Sequence, residues 1–217
     1  MTRISRQQSA ARLDVCASGD RERLWNANIH YHPLLLRTIP ARARCVLDVG
    51  CGDGILSAQL AEAGVPHVVG LDADAGVLDR AAARHPGNAL EWRHGDVFTT
   101  AFEPGSFDAV VSVAMLHHVD AGKALLRFAD LVRPGGVVAA VGLASNDWWD
   151  WPYAAVAYAT RAGIGLVRGQ WEHSAPMAWR PPETYRDIKR IAGCVLPGVR
   201  YRRHLLARYS LAWTKPD

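Results

Sequence analysis

The feature that most constrains the fold is a regular alternation of short apolar runs with helix-like segments between residues 45 and 143. The apolar runs predict buried strands, and most of the segments between them have the length and pattern of helices. The predicted strands are CVLDV (45–49), HVVGLD (67–72), LEWRHGD (90–96), FDAVVSVAM (107–115) and VVAAVGL (137–143). The predicted helices are ILSAQLAEAG (55–64), AGVLDRAAARH (75–85) and GKALLRFADLV (122–132), with a turn at 133–136. Strands joined by helices pair in parallel, so this region predicts an α/β fold with both faces of the sheet covered.

The flanking segments have a different pattern. Residues 1–44 predict one or two helices, and residues 183–198 predict a helix that ends near Gly193. Two further strands are expected at 199–206 and 207–213.

Residues 144–180, between the fifth strand and the last helix, are unusually rich in tryptophan. They carry five of the eight tryptophans: Trp148, Trp149, Trp151, Trp171 and Trp179. A connection of this length is far above the usual value of about 4–6 residues, so we expect a structured cap. The indole rings offer large apolar faces with polar N–H groups, which suit the binding of an aromatic or lipophilic small molecule. The alternative is that the indoles are buried against the sheet or a second subunit.

Composition excludes several classes of protein. Hydrophobic residues make up 49% of the chain and charged residues 21%, which suits a packed globular core and excludes a disordered or fibrous chain. The four cysteines are far apart with no CxxC pair, which argues against a disulfide framework and against zinc. There is no secretory signal and no run of 18 apolar residues, so a cytoplasmic protein without membrane insertion is predicted.

The net charge of +4 is unevenly distributed along the chain. Residues 46–142 carry twelve acidic and six basic side chains, whereas residues 1–45 and 143–217 each have a net charge of +5. A nucleic-acid-binding domain usually clusters basic residues on one face. The acidic middle region therefore favours a neutral or cationic ligand, and DNA is not an expected partner.

The strongest motif, Asp48-Val49-Gly50-Cys51-Gly52-Asp53-Gly54, follows the first strand and opens a helix. Glycines at 50 and 52 allow a ligand to lie against the backbone, and the helix N-terminus adds amide donors. A dinucleotide-binding loop would need glycine where Ile55 stands, and a Walker loop would need Gly-Lys-Ser/Thr. The acidic residue that opens the loop suits a ligand ammonium group better than a pyrophosphate.

Acidic residues end the second and third strands. Asp72 is placed to bind the two hydroxyls of a ribose, and Asp96 could accept a hydrogen bond from an adenine amine. Asp53 and Asp74 are expected instead to cap a helix or to lie on the solvated surface.

Taken together, these motifs resemble those of class I S-adenosylmethionine-dependent methyltransferases of the small bacterial methyltransferase-domain type. The resemblance rests on VLDVGCGDG, GLDAD, GDV, SFDAVVSVAMLHHV and LVRPGGVV, in that order, over residues 45–142. It implies a Rossmann-like sheet of seven strands, parallel except for one strand of a C-terminal antiparallel hairpin, with a cap after the fifth strand. It also implies S-adenosylmethionine as cofactor, bound by Asp48, Gly50, Gly52, Asp72, Ala73, Asp96, Val97, Ala114 and Tyr31. In the family the glycine loop holds the methionine moiety, the second-strand acid the ribose, and the third-strand acid the adenine.

The domain organisation that follows is one methyltransferase domain over residues 1–217. Its predicted parts are N-terminal helices (1–44), a cofactor-binding core (45–143), a cap and helix (144–198) and a C-terminal hairpin (199–217). In similar proteins the N-terminal helices cover the cofactor, which makes Asn28, His30 and Tyr31 candidates for contact with its methionine end. Ordinary helix packing is an equal alternative for these three side chains.

The residues after the fourth strand, Ala114-Met115-Leu116-His117-His118, should face the transferred methyl group. His117 or His118 could act as general base for a hydroxyl acceptor, because the pKa of histidine lies near working pH. The alternative is that one histidine packs against the next helix and the other contacts cofactor or solvent. Metal-dependent catechol methylation needs an aspartate where this chain has Ala114-Met115, so no metal is predicted.

The predicted function is methyl transfer from S-adenosylmethionine to a small-molecule acceptor by direct displacement. Such a reaction needs alignment and exclusion of water more than a protein nucleophile. The alternatives are a non-catalytic partner protein that binds S-adenosylmethionine, a nicotinamide oxidoreductase, which Ile55 disfavours, and an RNA methyltransferase. The chain has neither the Asn/Asp-Pro-Pro-Tyr/Phe motif nor the Pro-Cys motif of nucleic-acid base methyltransferases. The acceptor, the methylated atom and the oligomeric state are left open.

Overall fold

The computed structural model describes residues 25–168 and 181–217, and the strands within them form one sheet of seven strands. The strands are β1 (Cys45–Val49), β2 (His67–Asp72), β3 (Leu90–His94), β4 (Phe107–Val113), β5 (Val132–Gly142), β6 (Arg200–His204) and β7 (Arg208–Thr214). Their order across the sheet is β3-β2-β1-β4-β5-β7-β6. β1 to β5 pair in parallel, and β7 is antiparallel to both of its neighbours. The predicted seven-stranded, Rossmann-like architecture with a C-terminal antiparallel hairpin is confirmed.

The central strands are apolar because both of their faces are buried. Val46, fully buried in β1, pairs with Val68 of β2 on one side and Ala109 of β4 on the other. One buried cluster, which contains Phe128 and Ile188, covers one face of the sheet, and a second cluster, which contains Leu35, Leu56 and Leu60, covers the other.

Some of the helices begin at capping side chains that the sequence supplies. They are α1 (His32–Leu36), α2 (Ile55–Glu62), α3 (Ala75–Arg84), α4 (Ala121–Leu131), α5 (Trp151–Arg168) and α6 (Tyr185–Val195), and short 3₁₀ turns cover Ile29–Tyr31, Leu116–His118 and Trp148–Asp150. Asp74 accepts hydrogen bonds from the N–H groups of Gly76 and Val77, which is the predicted cap of α3. Thr184 and Asp187 form a reciprocal capping box at the start of α6.

One local prediction is wrong. The segment 133–136, predicted as a turn, lies inside β5, because the strand begins at Val132 and the register with β4 shifts between Phe107 and Ala109. The last helix ends at Val195, two residues beyond Gly193, which agrees with the predicted end near that glycine.

The segment after β5 contains a 3₁₀ turn and the long helix α5. The side chains of Trp148, Trp149 and Trp151 are 73%, 56% and 71% exposed, so none of them is buried against the sheet. Trp171 and Trp179 lie outside the described residues, as does the chain before residue 25. The role of this segment in acceptor binding therefore stays a prediction.

Candidate active site

The glycine loop lies at the carboxyl ends of β1 and β2. The N–H groups of Gly50 and Cys51 both donate to the carbonyl of Leu71, at 2.8 and 3.1 Å, and so tie the loop to the end of β2. Gly50 has a φ of +71°, and a Cβ there would lie 2.6 Å from Cγ of Met115. Gly52 has a φ of +53°, but a Cβ there would meet no atom within 4 Å. The loop is therefore packed at its first glycine and open at its second.

Asp72 connects this loop to the start of α3. Its Oδ2 accepts a hydrogen bond of 2.9 Å from the N–H of Gly52, and its Oδ1 accepts one of 3.0 Å from the N–H of Asp74. A carboxylate oxygen accepts more than one hydrogen bond, so both oxygens retain acceptor capacity. The carboxylate is thus fixed in orientation while it lines the cavity described below.

Asp48, the last acidic residue of β1, is 1% exposed. Ser57 of α2 donates to its Oδ2 at 2.7 Å. Burial raises the pKa of the Asp48 carboxyl to about 7, against the hydrogen bonds from Ser57, and the negative charge of Asp72 raises it further. Burial therefore favours the protonated form of Asp48, and a cationic ligand would favour its ionised form.

Asp53 departs from its expected role. Its side chain is buried, and its Oδ1 lies 3.6 Å from Nε of Arg80. The prediction of a helix cap or a solvated surface residue is wrong, because the loop turns this carboxylate inward, towards α3.

Asp96 and Val97 lie just beyond β3. Oδ1 of Asp96 accepts a hydrogen bond of 2.7 Å from the N–H of Phe98, and its carbonyl accepts from Thr100. These bonds close a turn that leaves Asp96 exposed and buries Val97. An exposed carboxylate beside a buried aliphatic side chain suits one polar edge and one apolar face of a planar ring.

The chain turns sharply after β4. Ala114 has a φ of +54°, unusual for a residue with a Cβ, and its N–H donates to the carbonyl of Val141 at 2.8 Å. The 3₁₀ turn that follows buries His117 and exposes His118, with their ring centroids 4.0 Å apart.

The two imidazoles have different environments. Burial lowers the pKa of His117 to about 4, with further lowering by His118 and by the guanidinium of Arg208. Partial burial also lowers the pKa of His118, while the charge of Asp72 opposes that change. His117 is therefore neutral at pH 7.

The N-terminal segment forms part of the cavity wall. Asn26, Asn28, Ile29 and His32 line the cavity. His32 is buried, with Nδ1 2.8 Å from Oε1 of Gln59, and burial lowers its pKa to about 4.

Tyr31 is not among the cavity-lining residues. Its hydroxyl accepts a hydrogen bond from the N–H of Leu206, and its ring packs against His204. The 3₁₀ turn at 29–31 directs this side chain to the β6–β7 hairpin, so Asn28 is the N-terminal candidate that reaches the cavity. His30 is also absent from the lining.

Arg208 also lines the cavity, although no feature of the sequence predicted it. It begins β7, is 6% exposed, and lines the cavity beside Leu143. Its Nε donates to Oδ1 of Asn28 at 2.8 Å, which joins the C-terminal hairpin to the N-terminal segment. No motif marks this arginine, because its contribution depends on a pairing of distant segments.

These elements surround one cavity of about 490 Å³ at the carboxyl ends of the parallel strands. Its lining includes the following predicted site residues: Asp48, Gly50, Gly52, Asp72, Ala73, Asp96, Val97, Ala114, His117 and His118. The volume is in the range of sites for small molecules and cofactors. The structure therefore brings together all the predicted site residues except His30 and Tyr31, and their individual roles stay predictions.

Comparison with known proteins identifies the family. Residues 47–140 match the family described as a methyltransferase domain. An uncharacterized methyltransferase of Mycobacterium bovis is 43% identical over 198 residues, covering 88% of this chain and 98% of that protein. The chain is a class I S-adenosylmethionine-dependent methyltransferase.

Two further similarities concern more distant proteins. The ubiquinone biosynthesis O-methyltransferase of Ralstonia nicotianae is 37% identical to this methyltransferase over 131 residues, which is 54% of each chain. A geranyl diphosphate methyltransferase solved in complex with SAM has a TM-score of 0.60 and 15% identity, covering 86% of this chain and 84% of that one. The second similarity is one of fold, which in this family implies S-adenosylmethionine as the cofactor.

Neither a metal-binding cluster nor a membrane-spanning helix is found among the described residues of the methyltransferase. Between residues 25 and 168 and between 181 and 217, no group of three or more His, Cys, Asp or Glu side chains could hold a metal ion. The prediction that no metal takes part stays a prediction. None of the helices in these ranges combines the length and the apolar composition needed to cross a membrane.

The raised pKa of Asp48 predicts a stabilising substitution in the methyltransferase. Because the native carboxyl has a pKa of about 7, against 3.8 for an unperturbed aspartate, ionisation disfavours folding, and stability is lost as pH rises through 7. Asp48→Asn keeps an acceptor for Ser57 and removes this cost. We expect a higher melting temperature than the wild type at pH 8, with a difference that disappears as pH falls towards 4, measured by thermal unfolding.

Asp108→Asn is the matched control for this prediction. Burial alone would raise the pKa of Asp108, but the N–H groups of Arg44 and Cys45 and the guanidinium of Arg133 lower it below its usual value. Its ionised form therefore stabilises the fold, and Asp108→Asn should lower the melting temperature at pH 8. Equal effects of the two substitutions at pH 8 would contradict the assignment for Asp48.

Proposed function

We propose that this enzyme methylates a small-molecule acceptor with an apolar or aromatic body and a hydroxyl as the methylated group. The observation that carries the proposal is the cavity, which brings the glycine loop and its acidic neighbours together with Met115, His117 and Leu143. A largely apolar chamber aligns two reactants and excludes water. The similarity to a protein named for O-methylation in ubiquinone biosynthesis supports a hydroxyl acceptor. We extend the proposal to a cytoplasmic enzyme that neither binds DNA nor inserts into a membrane.

The glycine loop and its acidic neighbours fit S-adenosylmethionine. At Gly52 the space that a side chain would fill is open, and Asp72 presents a carboxylate fixed by two backbone N–H groups. Asp48 and the loop would hold the methionine part, Asp72 the ribose, and Asp96 with Val97 the adenine. When bound, the cofactor supplies an electrophilic methyl group on a sulfonium.

His117 would orient the acceptor hydroxyl. Its imidazole is neutral at pH 7 because its pKa is about 4, so a ring nitrogen is available as an acceptor without prior loss of a proton. Nδ1 is buried and has no hydrogen-bond partner in the described part of the chain, which leaves Nε2 to contact the hydroxyl of the methyl acceptor. His118 is exposed beside it and connects the site with solvent.

The decisive test of the proposed function is ligand binding followed by turnover. Isothermal titration with S-adenosylhomocysteine should give saturable binding, and titration with NAD should not. A panel of hydroxylated aromatic and aliphatic compounds, incubated with S-adenosylmethionine, should release S-adenosylhomocysteine with at least one member. Binding of NAD alone would contradict the cofactor assignment, and release only with RNA would contradict the small-molecule acceptor.

His117→Gln should lower turnover by about a hundredfold, at the lower end of the range for general acid–base groups. Its affinity for S-adenosylhomocysteine should stay at the wild-type value. In the wild type at saturating S-adenosylmethionine, turnover should fall as pH approaches 4, because protonation of His117 removes its acceptor nitrogen. His118→Gln is the control and should retain the acid limb of the profile, whereas His117→Gln should lose it. An acid limb that survives in His117→Gln would contradict the role.

A further inference from the structure

We propose that Cys45 and His67 bind a thiophilic metal ion, such as Zn²⁺ or Cd²⁺, at the edge of the sheet opposite the cavity, with Glu91 as the carboxylate that orients the imidazole. None of these three residues lines the cavity, so the site is separate from the proposed methyl transfer and does not depend on it. The proposal is carried by the placement of three side chains on neighbouring strands and by the distances between their atoms.

The sheet brings the three side chains together at the amino ends of β1, β2 and β3. Cys45 and His67 are the first residues of their strands and pair with each other across the parallel ladder. Glu91 pairs with Val69, two residues after His67, so its side chain leaves the sheet on the same face as that of His67. His67 is exposed and the other two are half-buried. An ion can therefore reach the group from solvent.

The contacts of His67 leave a nitrogen lone pair directed at the thiol. Nε2 lies 3.1 Å from Oε2 of Glu91, and Nδ1 lies 3.5 Å from Sγ of Cys45. Burial opposes ionisation of Glu91, but hydrogen bonds from Arg93 and His67 hold its pKa below the usual value. The ionised carboxylate accepts from Nε2, so the neutral imidazole carries its proton there and Nδ1 faces the thiol as an acceptor.

The separation of the sulfur and nitrogen atoms is the one that a tetrahedral zinc ion requires. Zinc binds a thiolate at about 2.3 Å and an imidazole nitrogen at about 2.0–2.1 Å, which places two such ligands about 3.5–3.6 Å apart. The distance between Sγ of Cys45 and Nδ1 of His67 is 3.5 Å. An ion can therefore take the place of the thiol proton between these two atoms, without movement of either strand. The proton is released to solvent, and bonds from the metal to sulfur and nitrogen replace the S–H bond and its hydrogen bond.

The charges around Cys45 favour a bound cation over a thiolate on its own. Burial raises the pKa of this thiol, and the negative charges of Asp108 and Glu91 raise it further. A reactive thiolate nucleophile is therefore disfavoured, whereas a divalent cation would compensate the thiolate beside both carboxylates. Arg133 pairs with Asp108 and Arg93 with Glu91, which weakens this field without reversing it.

Two protein ligands predict an exchangeable ion rather than a structural one. A structural zinc site has four protein ligands, and the part of the chain that the structure describes holds no group of three. Water would complete the coordination, while Glu91 acts through the imidazole, as the carboxylate behind a metal-bound histidine commonly does. Cys45 and His67 are 22 residues apart, so the pattern of cysteines in the sequence does not reveal the pair.

The experiment titrates the whole protein, freed of metal by a chelator, with Cd²⁺, whose bond to a thiolate gives an ultraviolet charge-transfer absorption. We expect a saturable absorption at pH 8 that Zn²⁺ removes by competition and Mg²⁺ does not, because thiolate ligands select soft cations. Affinity should fall at pH 6, since binding displaces a proton from the thiol. Absence of a saturable absorption in the wild type overturns the proposal.

Variants of the thiols locate the ion. Cys45→Ser should abolish the absorption, and Cys194→Ser, which removes an exposed thiol of α6, should retain it. An absorption that survives in Cys45→Ser, or that is lost in Cys194→Ser, assigns the ion to another thiol and overturns the proposal.

Variants of the other two side chains test the geometry. Glu91→Gln should weaken Cd²⁺ about tenfold or more, because a carboxylate behind a metal-bound histidine typically contributes about 10- to 100-fold to affinity. His67→Gln removes a ligand and should weaken Cd²⁺ further. His94→Gln is its matched control, since His94 is an exposed histidine at the other end of β3. If Cys45→Ser does not fold, this pair carries the test, and equal affinities in His67→Gln and His94→Gln overturn the proposal.

Discussion

Replacing Gly52 by valine is expected to abolish measurable binding of S-adenosylhomocysteine and to leave the protein folded. A Cβ at Gly52 meets no protein atom within 4 Å, so the added side chain would project into the cavity that the cofactor is proposed to fill. The positive φ of +53° adds a strain of about 1–2 kcal/mol, which a domain of ordinary stability tolerates. Isothermal titration measures the loss of binding, and thermal unfolding shows that the fold is retained.

Two other glycines provide controls for this substitution. Gly64, after α2, has a φ of +95°, and a Cβ added there would also meet no atom within 4 Å, but Gly64 is not among the cavity-lining residues. Gly64→Val should therefore cost similar strain and leave binding unchanged. Gly50→Ala should instead lower the melting temperature, because its Cβ would lie 2.6 Å from Met115. Wild-type affinity in Gly52→Val would show that the loop is only a turn.

The sequence predicts well which residues of the glycine loop and of the strand ends line the cavity, because each of these features is local. The loop at 48–54 follows its strand directly, and Asp72 and Asp96 stand at or just beyond the ends of theirs. In a parallel sheet the carboxyl ends of neighbouring strands share one edge. Strand boundaries therefore suffice to bring these residues together without knowledge of any tertiary contact.

The part of the cavity that Asn28 and Arg208 line could not be predicted in the same way. Arg208 reaches the cavity only because β7 pairs antiparallel with β5 and because Asn28 binds its Nε. Tyr31 and Asn28 are three residues apart, and which of them faces the cavity depends on a 3₁₀ turn that periodicity does not reveal. Contacts between segments about 180 residues apart leave no signal in a single sequence.

Tertiary contacts account for the remaining differences between the predicted and the observed structure. The register shift between β4 and β5 absorbs the segment 133–136 into a strand, although its proline and glycines favour a turn. Aspartate is a common helix-capping residue, but Asp53 is buried near Arg80 of α3. In both cases tertiary pairing overrides a valid local preference.

Asp72→Ala is expected to weaken binding of S-adenosylhomocysteine by roughly 2–3 kcal/mol, which is about 30- to 150-fold in Kd. The carboxylate is proposed to accept hydrogen bonds from the ribose hydroxyls, and bonds to charged groups are the stronger ones. Part of the loss should come from the protein itself, because Asp72 also accepts from the N–H groups of Gly52 and Asp74 and so holds the loop.

Two further variants separate ribose binding from loop support. Asp72→Asn keeps one acceptor oxygen but replaces the other by an amide donor, which would face the N–H of either Gly52 or Asp74. It should therefore lose affinity as well, though less than Asp72→Ala. Asp120→Ala removes the N-cap of α4 at a residue outside the cavity lining, and should cost about 1 kcal/mol of stability without changing affinity. If S-adenosylhomocysteine binds Asp72→Ala as tightly as the wild type, the carboxylate serves the loop alone and the ribose lies elsewhere.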